Sequence, residues 1–188
     1  MPAATSSRDE IIDRLFALFQ EHGFDGASLS DVSRATGLGK SSLYHHFPDG
    51  KLQMAQAVLE RATTVIDGEI AGVANSSLSL KARIRKIVAL LNQMYSGGRT
   101  LCVLGRLATS SARSDSLDGL RQAFEIWINA IALLAKESGM PARRAATFAE
   151  DWIARLQGAL IMQAATGDTG AFERTLEALV ALGEKSPA

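Results

Sequence analysis

Apolar residues recur along this chain at intervals of three and four, the period of a helix with one buried face, and no stretch alternates long enough to argue a sheet. In the first such stretch Ile11, Ile12, Leu15, Phe16 and Phe19 form one stripe, opened by the capping-box spacing of Ser7 and Glu10 and stopped at Gly23. Ser28 and Asp31 repeat the start signal for a short helix that ends at Thr36 and Gly37. A turn over 37–39 leads to a third helix, Lys40 to Phe47, closed by Pro48, Asp49 and Gly50. Helices this short nucleate at a cost and bury little, so they are expected to pack as one unit. From Lys51 the pattern lengthens and predicts helices over 51–74, 80–96, 101–112, 116–138, 141–166 and 170–182, with breaks at 75–79, 97–99, 113–114, Gly139 and Gly167. The expectation is an all-α fold in two unequal parts, residues 1–50 and 51–188.

Composition adds limits more than detail. With 47% hydrophobic and 21% charged residues the chain is of ordinary globular make-up. Its longest apolar runs, 87–91 and 131–135, fall far short of the roughly 20 residues that a membrane span needs. The polar start, Met1 to Arg8, lacks a secretory core, and the single cysteine, Cys102, cannot form an internal disulfide. A cytoplasmic protein is expected. Net charge is +0, and the stretch from Met1 to Lys51 holds Arg8, Arg14, Arg34, Lys40 and Lys51 against a larger number of acids. No broad basic patch announces nucleic acid, so any such function must rest on local geometry.

That geometry is present in 28–47. Leu29, Val32, Ala35, Leu38, Leu43 and Phe47 have the spacing that locks two short helices around a tight glycine-bearing turn, the two-helix unit that reads DNA. Leu43 and Phe47, four apart, face inward together and leave Lys40, Ser41, Ser42, Tyr44 and His45 on the opposite side. These groups suit base edges and phosphate oxygens in a major groove. Lys40, Ser41, Ser42 and His45 are candidates for base contact, His46 for the backbone, and Tyr44 and Lys51 for positioning on phosphate. With so few cations per subunit, two subunits are expected to bind together.

The run Ser28-Leu-Ser-Asp-Val-Ser-Arg-Ala-Thr-Gly-Leu-Gly-Lys-Ser-Ser-Leu-Tyr-His-His-Phe47, preceded by the helix end at Phe16 to Gly23 and by Phe24, resembles the DNA-binding domain of TetR-type regulators. The resemblance implies residues 1–50 as a helix-turn-helix DNA-binding domain and 51–188 as a helical ligand-binding and dimerisation domain. It also implies a dimeric repressor that leaves a palindromic, double-stranded operator when a small molecule enters the second domain. By position it assigns DNA contact to Lys40, Ser41, Ser42, Tyr44, His45, His46 and Lys51. Gly39 stands where many members place a capping serine, and Phe47-Pro-Asp-Gly-Lys51 is one residue longer than the commoner spacing. Together with Leu101-Cys-Val-Leu-Gly105, that longer turn is similar to the LmrA/YxaF-like branch, which implies largely apolar effectors.

Elsewhere the residues leave alternatives. Met94, Tyr95, Cys102, Phe124, Trp127, Trp152 and Met162 are either lining for a small-molecule pocket between helices or core filling. Cys102 is a small buried hydrophobe, or, beside Arg99 and Arg106, a redox or electrophile sensor. His45 and His46 point about 100 degrees apart on a helix and do not make a metal site, and His22 near a helix end is a dipole contact. Lys81, Arg83, Arg85 and Lys86 read as a solvated face, with an anion contact or support near DNA as alternatives. The small residues Ala145, Ala146, Ala149, Ala154, Gly158 and Ala159, with Ile153, Leu156 and Leu160, and then Phe172, Leu176, Leu179 and Val180, predict a two-fold four-helix interface through 141–166 and 170–182; an internal hairpin is the alternative. Three histidines and one cysteine supply no catalytic arrangement, so no enzyme and no cofactor are expected. A DNA-bound regulator without small-molecule control remains the competing function.

Overall fold

The computed structural model describes residues 7–112, 117 and 119–184, and every regular element among them is helical. In order these are α1 (Arg8–Gly26), α2 (Leu29–Thr36), α3 (Lys40–His46), α4 (Lys51–Val65), a π-helical segment (Ile66–Ala71), α5 (Gly72–Ala74), α6 (Leu80–Met94), α7 (Val103–Ala108), α8 (Leu120–Glu137), α9 (Ala142–Thr166) and α10 (Gly170–Glu184). The expected break at 113–114 and the expected helix start at Ser116 lie outside the described residues.

The chain divides into two compact units, one of Met1–Ala62 with Val103–Leu120, the other of Thr63–Cys102 with Arg121–Ala188. In the first, both capping boxes form: the Ser7 and Ser28 hydroxyls accept from the Glu10 and Asp31 amides, and the two carboxylates accept from the Ser7 and Ser28 amides in return. Gly23 does not end α1 but kinks it, at φ 72°, and the helix resumes to Gly26. Beside the kink, Arg106 on α7 donates to the Glu21 carbonyl through Nη2 at 2.8 Å. α7 is shorter than the expected 101–112 and packs on α1. Arg61 of α4 bonds Asp13 of α1 at 2.9 Å, and Ile11, Leu15, Phe19, Val32 and Phe47 are fully buried beneath.

The predicted single helix over 51–74 is not uniform: its part in the second unit loosens into the π turn at Ile66–Ala71. Gly68 and Gly72, lacking β-carbons, lower the cost of leaving α geometry there. α6 packs on this turn and on α5, and α10 packs on α6 and α9. Gly98, at φ +88°, lets the loop after α6 press on Phe172 of α10; a β-carbon there would sit 2.8 Å from the ring. Tyr95 meets the same ring edge-on at 6.2 Å, and the Trp152 indole donates to the Thr175 carbonyl at 2.8 Å.

Arg83 corrects the reading of 81–86 as a solvated face. Its neighbours Lys81, Arg85 and Lys86 are exposed, but Arg83 is buried, donates to the Ala74 carbonyl at 2.6 Å and forks onto both oxygens of Glu137 on α8. Replacing Arg83 with alanine leaves that carbonyl and carboxylate without their donor. Because Glu137 is partly solvated, the expected cost is about 2 kcal/mol rather than the full penalty of a buried pair, read as a lower urea midpoint at unchanged slope.

Candidate nucleic-acid interface

α2 and α3 are held by three devices. Gly37 takes the left-handed conformation at φ 73° and returns its amide to the Ser33 carbonyl at 2.9 Å, which turns the chain sharply. The Ser33 hydroxyl donates to the Leu38 carbonyl across the turn, and Arg14 of α1 caps α2 through the Thr36 carbonyl at 2.7 Å. Val32, Leu43 and Phe47 are buried and Ala35 and Leu38 half-buried, as their spacing predicts. Leu29 departs from that set: at the first residue of α2 it has no preceding turn to cover it and is 38% exposed.

With Leu43 and Phe47 inward, α3 presents Lys40, Ser41, Ser42, Tyr44 and His45 to solvent, and His46 is half-buried at the rim. Gly39 at the start of α3 has no side chain to accept from the first amides of the helix, so this end carries no side-chain cap. A serine at position 39 has open space around it and is expected to add a few tenths of a kcal/mol to helix stability. The longer turn after α3 places Gly50 at φ +68°, buried under the Tyr44 ring, which leans on it with Cε1 3.7 Å from where a β-carbon would be. Tyr44 is therefore aimed by the turn while keeping 40% of its surface exposed.

Lys51 begins α4 just beyond this turn. Its ammonium lies 4.5 Å over the Phe24 ring, and burial pulls its pKa below the ordinary lysine value while Asp25 opposes that pull. Arg8, which the sequence reading passed over, donates to the His46 carbonyl at 3.1 Å and stacks on Phe47 at 5.1 Å, closing the C-terminal end of α3. Only its lone charge beside the first capping box marked it. The strip is thus a short polar face on a rigid base, with an aromatic hydroxyl and an ammonium at its end, able to meet a groove and the flanking phosphates.

The residues proposed for a small-molecule pocket behave differently from one another. Tyr95, Cys102, Trp127 and Trp152 are buried in the second unit, and Met94 and Phe124 are half-buried. The Tyr95 hydroxyl has its pKa pushed well up by burial, with the Cys102 thiol beside it adding to the effect. Trp152 has spent its donor on Thr175, whereas the buried Trp127 Nε1 has no partner among the described residues. Met162 is a correction: it is 56% exposed and stands with Ile161, 63% exposed, on the outward side of α9 rather than in the interior. The interface residues named from the sequence also split. Ala145, Ala149, Ile153, Leu156, Ala159, Leu160, Phe172, Leu176 and Leu179 are buried within the chain, because one face of each helix closes its own core. Of the others named, Ala146 and Ala154 are exposed and Gly158 and Val180 half-buried, and the outward side of α9 also carries Ile161, Met162 and Ala165, which were not among them.

Residues 11–58 match the family of bacterial regulatory proteins, tetR family. The HTH-type transcriptional regulator LmrA of Bacillus subtilis is 25% identical over 83% of this chain and 85% of its own. The negative transcriptional regulator of the biofilm operon icaADBC, IcaR of Staphylococcus aureus, is 41% identical, but over 51 residues, 27% of either chain. Among solved structures, a TetR transcriptional regulator from Legionella pneumophila superposes with a TM-score of 0.79 at 23% identity over 99% of this chain and 100% of that one. The reduced form of NemR from Escherichia coli does so at 0.73 and 17% identity, over 94% and 97%.

Proposed function

We propose that the chain is a DNA-binding transcriptional repressor of the TetR family, that it acts as a homodimer on a two-fold operator and that it is released by a small, largely apolar ligand. The observation that carries the DNA reading is the α3 face: Lys40, Ser41, Ser42, Tyr44 and His45 outward, Leu43 and Phe47 fully packed behind them. Lys40, Ser41, Ser42 and His45 meet base edges, while Tyr44, His46 and Lys51 hold the backbone.

Two further observations support the finer parts. The outward stripe of α9, with Ile161 and Met162 exposed beside the small residues Ala154, Gly158 and Ala165, is an apolar face suited to close approach of a second copy. In the second unit Tyr95, Trp127 and Trp152 supply an aromatic interior, and the Trp127 donor, without a partner among the described residues, asks for a hydrogen-bond acceptor on whatever enters. Ligand entry acts by shifting the helical run from Lys51 to Ala74, so that the two recognition helices of the dimer no longer match half-sites at fixed spacing.

The test is a band shift on DNA upstream of the protein's own gene, repeated while apolar aromatic carbonyl compounds are titrated in. The expected result is a specific complex that dissociates as ligand binds. Trp127→Phe, which deletes the donor and keeps an aromatic ring in its place, is expected to leave the complex intact and to raise the ligand concentration needed by about tenfold. A compound that binds while operator affinity stays constant contradicts ligand-controlled release.

A further inference from the structure

Lys51 is contested by a neighbour of opposite charge. Its ammonium sits over the Phe24 ring, and the next residue, Asp25, carries an exposed carboxylate. Ser111, beyond the end of α7, engages both oxygens of that carboxylate: its amide donates to Oδ2 at 2.9 Å and its hydroxyl donates to Oδ1. These bonds hold the Asp25 pKa below its ordinary value, the side-chain bond most of all, with attraction from Lys51 contributing least. α7 is itself fastened to α1 through Arg106 and the Glu21 carbonyl, so Ser111 sits at the end of an anchored element.

We propose that Asp25 is an internal rival of DNA phosphate for Lys51, and that Ser111 is the positioning residue that keeps this carboxylate off the lysine. The inference rests on the reading of Lys51 as a phosphate contact. With both oxygens bound, the Asp25 side chain is fixed in rotation and its charge is satisfied locally. Released, it is free to turn to the ammonium that the Phe24 ring holds nearby, and a phosphate must then displace an ion pair before it can bind. Withdrawal of Ser111 by a movement of α7 thus weakens the grip on DNA while α3 keeps its fold and its face. The state of α7 sets the availability of one cation in each head.

A mere clamp between α7 and α1 makes a different forecast: removing either partner damages binding alike. The experiment uses the full chain and a duplex selected by the wild-type protein from a random pool, with affinity measured by fluorescence anisotropy across a salt series. Ser111→Ala is expected to weaken binding by about fivefold and to flatten the salt dependence, because fewer counterions are released per head. Asp25→Ala is expected to bind at least as tightly as wild type, and the double variant Ser111→Ala with Asp25→Ala to recover wild-type affinity. In a Lys51→Ala background Ser111→Ala has no further effect. If Asp25→Ala weakens binding as Ser111→Ala does, or the double variant stays weak, the pair is a clamp and the proposal is overturned. If Lys51→Ala weakens binding but Ser111→Ala does not, the proposal also fails while the phosphate contact stands; if Lys51→Ala itself is silent, the reading beneath the proposal has failed.

Discussion

Replacing Tyr44 and Lys51 together with alanine is expected to lower operator affinity by about 100-fold while the melting temperature hardly changes. Each dimer loses a hydroxyl and an ammonium from both heads, and two cations fewer at phosphate flatten the salt slope by roughly 2. The fold tolerates the change because Tyr44 is 40% exposed and the core under α3 is made by Leu43 and Phe47. Loss of the Lys51 contact with Phe24 is expected to be felt weakly, as a half-buried cation over a ring contributes on the order of 1 kcal/mol. The signature that separates this result from misfolding is a uniform weakening across DNA sequences, as expected of groups proposed to position the protein rather than choose the bases. Changes at Ser41 or Ser42 are expected instead to alter which sequence is preferred.

Ile161→Glu should turn the protein into a monomer and cost more still. Ile161 is 63% exposed in the single chain, so the substitution disturbs no internal packing, yet it places a carboxylate at the centre of the outward α9 stripe. In a two-fold interface that residue or its close neighbours face their own copies, which sets like charges together in a desolvated seam. Sedimentation is expected to change from about twice the chain mass of 20.0 kDa to that mass itself. Operator affinity falls by about 1000-fold, because a single short helix with few cations cannot replace the effective concentration that a tethered second head provides. A variant that stays dimeric would move the interface to another surface.

How much of this was legible in the sequence follows from the range of the interactions concerned. The capping boxes of Ser7 and Ser28, the left-handed Gly37 and the division of α3 into Leu43 and Phe47 against the polar strip are local, and a period of three to four residues with its stop signals reveals them. Periodicity does not say what covers an apolar face. Ile153 and Leu156 close the core of their own chain while Ile161 and Met162, one or two turns along the same helix, face outward. Nor does it foresee long-range bonds between side chain and backbone: Arg106 meets Glu21, and Ser111 meets Asp25, across 85 and 86 residues. The same limit hid the burial of Arg83, whose neighbours Lys81, Arg85 and Lys86 do lie on an exposed face. The π turn at Ile66–Ala71 left only its glycines as a trace.

The central claim is that one polar helical face, displayed twice by a symmetric dimer, reads duplex DNA. Selection of binding sites from a random duplex pool by the purified protein tests it most directly. The account predicts enrichment of an inverted repeat whose half-sites lie about one helical turn apart, lost when Tyr44 and Lys51 are alanine. Recovery of no sequence, or of a single asymmetric site bound equally well by that double variant, would contradict it.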